Sequence, residues 1–427
     1  MKELLYEWNP WWNKECSFNE VKRDLLNRLT AWVERKEIVA VIGGRRCGKT
    51  TLLYELIDWL INNRKVPPEN IVFIKADDER ANKENLINNA LSEYEKWKKP
   101  KGRMFIFIDE IQELNDWQKT LKRIYDLEGK NKKIFISGSN ASLLREELGH
   151  LLAGRNAYFE LFPFSFRECL RANNITVSNE DDVIKNKAAI RNTFADYVSF
   201  GGYPEVVLER DEKRREELVH YHFDSIIFRD VVKRKKVRNT EKLVRIVDLY
   251  LQQISSLVNF SNIAKLVNLT TDSVTEYTKY LEEAYLIFAN NVFAESLKKQ
   301  FINPKKIYCI DTGMRRIVGF TFSQDAGRME ENITFIELKR RGYKTFYWAE
   351  KNECDILVSK GKDIIQAIQV CYELTPENRE REIKGLIEAM EKFHLKEGTI
   401  LTDNQTEKIT IKEKTINCTP LWRWLIS

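Results

Sequence analysis

The sequence predicts an α/β fold built on a parallel sheet, and three observations predict it. Short apolar runs at residues 37–42, 70–75, 104–109 and 132–137 read as strands buried on both faces. Stretches with helical periodicity separate them, beginning at 51–61. The first run leads directly into Gly43-Gly44-Arg45-Arg46-Cys47-Gly48-Lys49-Thr50, a G-x-x-x-x-G-K-[ST] segment set between a strand and a helix.

That segment has the chemistry of a phosphate-binding loop. Glycine lets the backbone curl so that successive N–H groups face one anion. The following helix adds its positive dipole end, which places Thr51 beside the same anion. Lys49 is expected at the β- and γ-phosphates and Thr50 at Mg²⁺. A chance match in a glycine turn would not require the flanking strand and helix. Phosphoryl transfer also needs a carboxylate near the metal and a group to orient water. The run 104–109 supplies both by ending in Asp109-Glu110: Asp109 for the metal, Glu110 for the water. The run 132–137 leads into Gly138-Ser139-Asn140, so Ser137, Ser139 and Asn140 are candidates to sense a γ-phosphate. The same Gly-Ser-Asn also reads as the N-cap turn of a helix over 141–148. ATP and Mg²⁺ are therefore the expected cofactors.

The chain has 427 residues, 43% of them hydrophobic and 31% charged, enough for several cores. A net charge of +6 permits a nucleic-acid partner without demanding one. The seven cysteines are scattered and read as free thiols of a reducing compartment. His220 and His222 lack the partners of a zinc site. Neither a signal peptide nor a membrane span is legible, so the expectation is a cytoplasmic protein without a membrane partner.

Composition shifts divide the chain into an ATPase core (1–164), a helical lid (165–240), a winged helix (241–300) and a separate α/β unit (301–427). Trp8, Trp11 and Trp12 at the start are expected to pack on the core, or to line an adenine pocket. A helix is expected over 18–32. Arg155, just beyond the core's last helix, is a candidate to stabilise charge on a γ-phosphate, in cis or from a neighbouring subunit; a surface salt bridge is the alternative. Residues 260–287 read as helix, turn and helix, with Ser261 capping the first helix and Asp272, Ser273, Thr275, Glu276 and Lys279 exposed on the second. That face is acidic for a groove reader. Lys233, Arg234, Lys235, Lys236 and Arg238 are better candidates for DNA phosphates.

In the last region, Glu330-Glu331 opens an expected helix at 333–341, and Asp355 lies on a strand. Gln369 follows on the hairpin partner. A helix acid, a strand acid and a polar residue fourteen later make the layout of a PD-(D/E)XK nuclease core. Such enzymes use the acids for Mg²⁺ and a strand lysine to activate water. Here Gln369 stands for the second acid and Cys371 for the lysine. Glu331 and Asp355 remain a candidate second metal site, with Lys339 a speculative substitute for the lysine.

Taken in order, the whole chain resembles a family of archaeal and bacterial AAA+-like ATP-binding proteins. The resemblance rests on Asn9-Pro-Trp-Trp12, Gly43 to Thr51, Phe107-Ile-Asp-Glu-Ile-Gln112, Ile136-Ser-Gly-Ser139, Gly154-Arg155, Pro163-Phe-Ser-Phe-Arg-Glu168, Gly201-Gly-Tyr-Pro204, Arg229-Asp230 and Glu353-Cys-Asp355 with Gln369-Val-Cys-Tyr372. It implies a P-loop ATPase core, a winged helix and a C-terminal restriction-endonuclease-like domain. It also implies a nucleotide-responsive Arg155 and a homo-oligomer formed through the ATPase domain. The expected function is Mg²⁺-dependent ATP hydrolysis coupled to DNA binding or remodelling. The alternatives are an ATP-driven switch that binds protein partners, and an ATP-regulated nuclease.

Overall fold

A computed structural model describes residues 1–13, 21–139, 154–319 and 322–427. The chain divides into two compact units, Met1–Phe162 and Pro163–Ser427. Asn140 and the helix expected over 141–148 lie outside the described residues, as does Cys16.

The first unit is a five-stranded sheet of β1 (Ile38–Gly43), β2 (Ile71–Lys75), β3 (Met104–Asp109), β4 (Lys132–Gly138) and β5 (Asn156–Leu161), in the order β2-β3-β4-β1-β5. Every neighbouring pair is parallel. β4 therefore stands between β1, which feeds the phosphate loop, and β3, which ends in the two acids. β1 is buried along its whole length, as a strand covered on both faces must be. β5 approaches so closely that a Cβ on Gly43 would sit 2.1 Å from the Leu161 carbonyl oxygen. Glycine at that position serves the sheet as well as the loop.

β2 is one of the two edge strands, and an open edge is a liability. The N-terminal aromatic segment covers it. Asn9 mimics a strand partner: its side-chain amide donates to the Phe73 carbonyl at 3.0 Å and accepts from the Phe73 N–H at 2.6 Å. The Trp12 indole donates to the Ile71 carbonyl at 3.0 Å, and Trp8 donates to Asp78 at 3.0 Å. The tryptophans thus pack on the core, at the sheet edge. The helix expected over 18–32 is shorter, Leu25–Thr30.

The second unit opens with helices Phe166–Ala172, Glu180–Lys185, Lys187–Phe200, Pro204–Leu208 and Glu212–Asp224, then a π-helical stretch Ser225–Lys233. Ser165 and Glu168 form a reciprocal capping box at the first of these. The Gly201-Gly202 turn is dictated from far along the chain. The Asp311 carboxylate accepts from the Gly202 N–H at 2.7 Å and from the Gly313 N–H at 3.0 Å. A Cβ on Gly201 would overlap the Asp311 carboxylate at 1.6 Å, and Gly201 also has φ +76.

Next come helix Thr240–Gln252, β6 (Leu257–Val258), helices Phe260–Val267 and Thr271–Glu283, β7 (Ile287–Asn290) and β8 (Lys305–Cys309). Asn259, not Ser261, caps the Phe260–Val267 helix, accepting from the Ser261 N–H. β8 lies between β6 and β7, antiparallel to both. The boundary expected at residue 300 is therefore wrong, because β8 completes the three-stranded sheet begun before it.

Helix Phe322–Arg340 then precedes a six-stranded sheet of β9 (Lys344–Ala349), β10 (Glu353–Lys360), β11 (Asp363–Val370), β12 (Glu397–Thr402), β13 (Glu407–Ile411) and β14 (Lys414–Pro420). The order is β13-β14-β12-β11-β10-β9. β9, β10 and β11 form an antiparallel meander, and β12 joins β11 in parallel after helix Pro376–Lys392. Glu330 and Glu331 lie well inside the Phe322–Arg340 helix and do not open it.

Burial pushes the Asp311 carboxyl up to about 7, against the backbone N–H groups of Gly202, Gly313 and Tyr203 that favour its charge. A carboxyl with a raised folded value contributes stability that is fully present below its unfolded value of about 4 and is lost as pH rises through 7. Melting temperatures of wild type and Asp311→Asn, followed from pH 5 to 8, should show a shallower decline in the variant. Equal slopes would contradict the assignment.

Candidate functional site

The phosphate loop runs from the carboxyl end of β1 to the helix Lys49–Asn62. Arg46 (φ 63) and Gly48 (φ 90) take left-handed conformations, which curl the loop. No side chain caps the helix at Gly48, so its N-terminus presents backbone N–H groups, the ordinary makings of an anion site. Arg45 and Arg46 are half-buried in the loop, Cys47 is buried beneath it, and Thr51 is exposed on the first helical turn.

Lys49 folds back over the loop. Its Nζ donates to the carbonyls of Gly43 at 3.2 Å and Gly44 at 3.0 Å, and to Ser139 Oγ at 3.0 Å. Ser139 Oγ lies 2.8 Å from both carboxylate oxygens of Glu110. Lys49 Nζ is itself 3.5 Å from Glu110. On the other side, Thr50 Oγ1 donates to Asp109 Oδ2 at 2.7 Å. Ser137 Oγ donates to Asp109 Oδ1 and accepts from the Glu110 N–H at 3.0 Å. The structure thus brings Lys49, Thr50, Asp109, Glu110 and Ser139 into one cluster, with Ser137 supporting it.

The two acids are held in different states. Burial, then the charge of Glu110, pushes Asp109 up to about 6 despite the Ser137 and Thr50 hydroxyls. Burial also opposes the charge of Glu110, but Lys49, Gln112 and Ser139 outweigh it and hold Glu110 at about 2. Glu110 is therefore an anion at neutral pH, hydrogen-bonded by Gln112 at 2.6 Å. Its φ of 49 turns the chain sharply as it leaves β3.

One supporting residue escaped the sequence reading. Arg23 is buried, and its guanidinium donates to the Cys47 carbonyl at 2.6 Å and to the Phe162 carbonyl at 2.7 Å. It props the phosphate loop from below. A lone arginine in Lys22-Arg23-Asp24 carries no local signal of this.

Arg155 is elsewhere. The Ile38 N–H donates to the Arg155 carbonyl at 2.8 Å, which places Arg155 where β1 and β5 begin. The phosphate loop leaves the opposite end of β1, about 17 Å away at the usual strand rise. Arg155 pairs with Asp126 at 3.3 Å. A role in cis is excluded by this geometry.

The basic run is partly neutralised within its own unit. Arg234 lies 3.8 Å from Asp230, and Lys235 pairs with Glu283. Lys233, Lys236 and Arg238 are exposed. Asp272, Thr275, Glu276 and Lys279 are exposed on the Thr271–Glu283 helix.

Glu331 and Asp355 do come together, but around a lysine. Lys306 Nζ lies 2.8 Å from Asp355, 3.1 Å from Glu331 and 2.7 Å from Glu353. Lys339 is not in this cluster; its ammonium lies over the Phe288 ring. Among the described residues no group of three or more His, Cys, Asp or Glu is arranged to hold a metal ion. Lys306 stands between the two acids expected to hold a second metal.

Residues 35–170 match the AAA domain family, and residues 191–324 match a domain of unknown function (DUF8612). With the loop, the two acids and the strand order, this defines the first unit as an AAA-type P-loop ATPase domain. The chain is 34% identical over 412 residues to the uncharacterized protein MJ1544 of Methanocaldococcus jannaschii, covering 92% of this chain and 88% of that protein. It belongs to the family of that protein. An uncharacterized protein of Haemophilus influenzae is 29% identical over 371 residues, covering 84% and 88%. The Thermotoga maritima RuvB Holliday junction branch migration motor is similar at 14% identity and a TM-score of 0.27, covering 63% of this chain and 89% of that one. Likeness at that level is too remote to bear on function. No helix among the described residues is long and apolar enough to cross a membrane.

Lys49→Ala removes the cation that spans the loop carbonyls, Ser139 and Glu110. Equilibrium titration with a fluorescent ATP analogue should show affinity falling by at least about tenfold, the loss of one charge-assisted contact. Unchanged affinity would contradict the placement of the phosphates.

Proposed function

We propose that this protein is a Mg²⁺-dependent ATPase that cleaves the β–γ phosphoanhydride bond of ATP with water, giving ADP and phosphate. One observation carries the reading: Lys49, Thr50, Asp109, Glu110 and Ser139 share a continuous hydrogen-bonded cluster at a phosphate loop. The oxygen donors suit a hard cation, because a hydroxyl and a buried carboxylate meet at 2.7 Å. Thr50 and Asp109 would hold Mg²⁺, which when bound neutralises phosphate charge. Lys49 exchanges the loop carbonyls for the β- and γ-phosphates. Glu110, held as an anion, orients the attacking water and accepts its proton. Ser139, bonded to both Lys49 and Glu110, reports the γ-phosphate to each. Arg155 serves a neighbouring copy, in trans, within a homo-oligomer.

The second unit is read as a helical lid, a winged helix and a nuclease-like domain. The succession helix, β6, helix, helix, β7, β8 supports the winged helix. The meander β9-β10-β11 followed by a helix and parallel β12, with Asp355 on β10 and Gln369 on β11, supports the nuclease-like fold. We assign these parts to holding DNA, with Lys233, Lys236 and Arg238 on its phosphates, so that hydrolysis drives binding or remodelling. A second reading is a nucleotide switch that presents a protein-binding surface. The pairing of Arg234 with Asp230 and Lys235 with Glu283, beside exposed Asp272 and Glu276, favours it.

Phosphate release with Mg²⁺, with and without duplex and branched DNA at low salt, separates the two. The DNA reading predicts turnover raised several-fold by at least one DNA and binding that weakens steeply with salt. Turnover indifferent to DNA, with a molecular mass that changes between ATP and ADP, would sink it in favour of the switch.

A further inference from the structure

The carboxylates of the C-terminal domain surround an ammonium, and the arrangement has the connectivity of a metal centre. Lys306 is buried on β8, and its ammonium has three donors. Carboxylate oxygens stand at 2.7, 2.8 and 3.1 Å, from Glu353, Asp355 and Glu331, and the ammonium donates hydrogen bonds to Asp355 and Glu331. Two of the acids accept a further hydrogen bond. Tyr308, two residues along β8 and so on the same face, donates to Glu331 Oε1 at 2.6 Å. The Val370 N–H donates to Asp355 Oδ2 at 2.9 Å.

The side chains that would complete a hydrolytic site point to the same conclusion. Gln369 accepts from the Asp355 N–H at 3.2 Å and donates to Glu382 at 2.7 Å, so it is a brace with no charge to give a metal. Cys371 is buried, and burial pushes its thiol well above the usual range, so it does not replace a lysine. A cleft of about 760 Å³ nevertheless opens here, lined by Glu331, Asp355, Gln369, Arg328 and Arg381 among others.

We propose that Lys306 takes the place of the divalent cation of a nuclease-like site, so that this cleft is metal-free and does not cleave phosphodiesters. A tethered ammonium stays beside the acids at every concentration of free metal. It also ties the three-stranded sheet, through β8, to the Phe322–Arg340 helix and to β10. The inference rests on the nuclease-like reading of this domain and is independent of the ATPase reading.

Mn²⁺ binding to the nucleotide-free full-length chain tests it. Wild type and Asp355→Asn should take up the same amount of Mn²⁺. Lys306→Met leaves three carboxylates facing one another, so its melting temperature should fall, and Mn²⁺ should restore part of the loss while leaving wild type unmoved. If Lys306→Met does not fold, the double variant Lys306→Met with Glu353→Gln carries one charge fewer and makes the same measurement. Wild-type Mn²⁺ uptake lost in Asp355→Asn, or plasmid nicking by wild type that Asp355→Asn abolishes, would overturn the proposal and make Lys306 a relocated catalytic lysine. A folded Lys306 variant that gains no Mn²⁺ would overturn it differently, by removing the nuclease-like reading itself.

Discussion

The nucleotide site depends on one constraint, the insertion of β4 between β1 and β3. A parallel strand there carries Ser137 and Ser139 into the gap between the phosphate loop and the two acids. Without it, Lys49 and Glu110 would face each other across an unfilled space. With it, Ser139 joins them, and Ser137 holds both the Asp109 carboxylate and the Glu110 backbone. Burial opposes the charge of Glu110, yet Lys49, Gln112 and Ser139 hold it low; burial and the charge of Glu110 raise Asp109 against its Ser137 and Thr50 hydrogen bonds. One acid is kept charged by a lysine, and its neighbour is left to be charged by a cation. The close approach of β5 at Gly43 and the prop of Arg23 under Cys47 fix the loop against this row.

The second unit relies on a similar economy of buried charge. Asp311 organises the Gly201-Gly202 turn, and Lys306 organises three carboxylates around itself. Each is a long-range node in which one polar side chain satisfies groups from several elements. Breaking such a node strands the remaining partners, which costs more than the net worth of the contacts. The nodes also explain why the chain cannot be cut at residue 300: β8 belongs to the sheet before it and carries the lysine for the domain after it.

How much was legible in the sequence follows the range of each interaction. The loop, Thr50, Asp109 and Glu110 were legible because each belongs to a local pattern of apolar run, turn residue and charge. β1 to β4 of the first sheet were legible for the same reason, to within a residue at their ends, whereas β5 escaped the reading. Gly201-Gly202 read as a turn, yet its cause is an aspartate 109 residues away from Gly202. Arg23 and Lys306 carried no signal, because a single charged residue acquires meaning only from what folds around it. Arg155 was left open between cis, trans and a surface salt bridge, because distance along the chain does not tell one end of a strand from the other. The Trp8-Asn-Pro-Trp11-Trp12 segment was legible as packing, but its task of covering β2 appears only with the strand order.

The central claim is that Glu110 activates water at a preformed nucleotide site. The direct measurement is single-turnover ATP hydrolysis by Glu110→Gln, paired with its affinity for ATP in the presence of Mg²⁺. The variant keeps the shape of the side chain and its hydrogen bond to Ser139 while losing the charge. Affinity should stay within a few-fold of wild type while the rate falls by about a hundredfold or more, the usual worth of a positioned base. A variant that hydrolyses ATP at the wild-type rate would contradict the account.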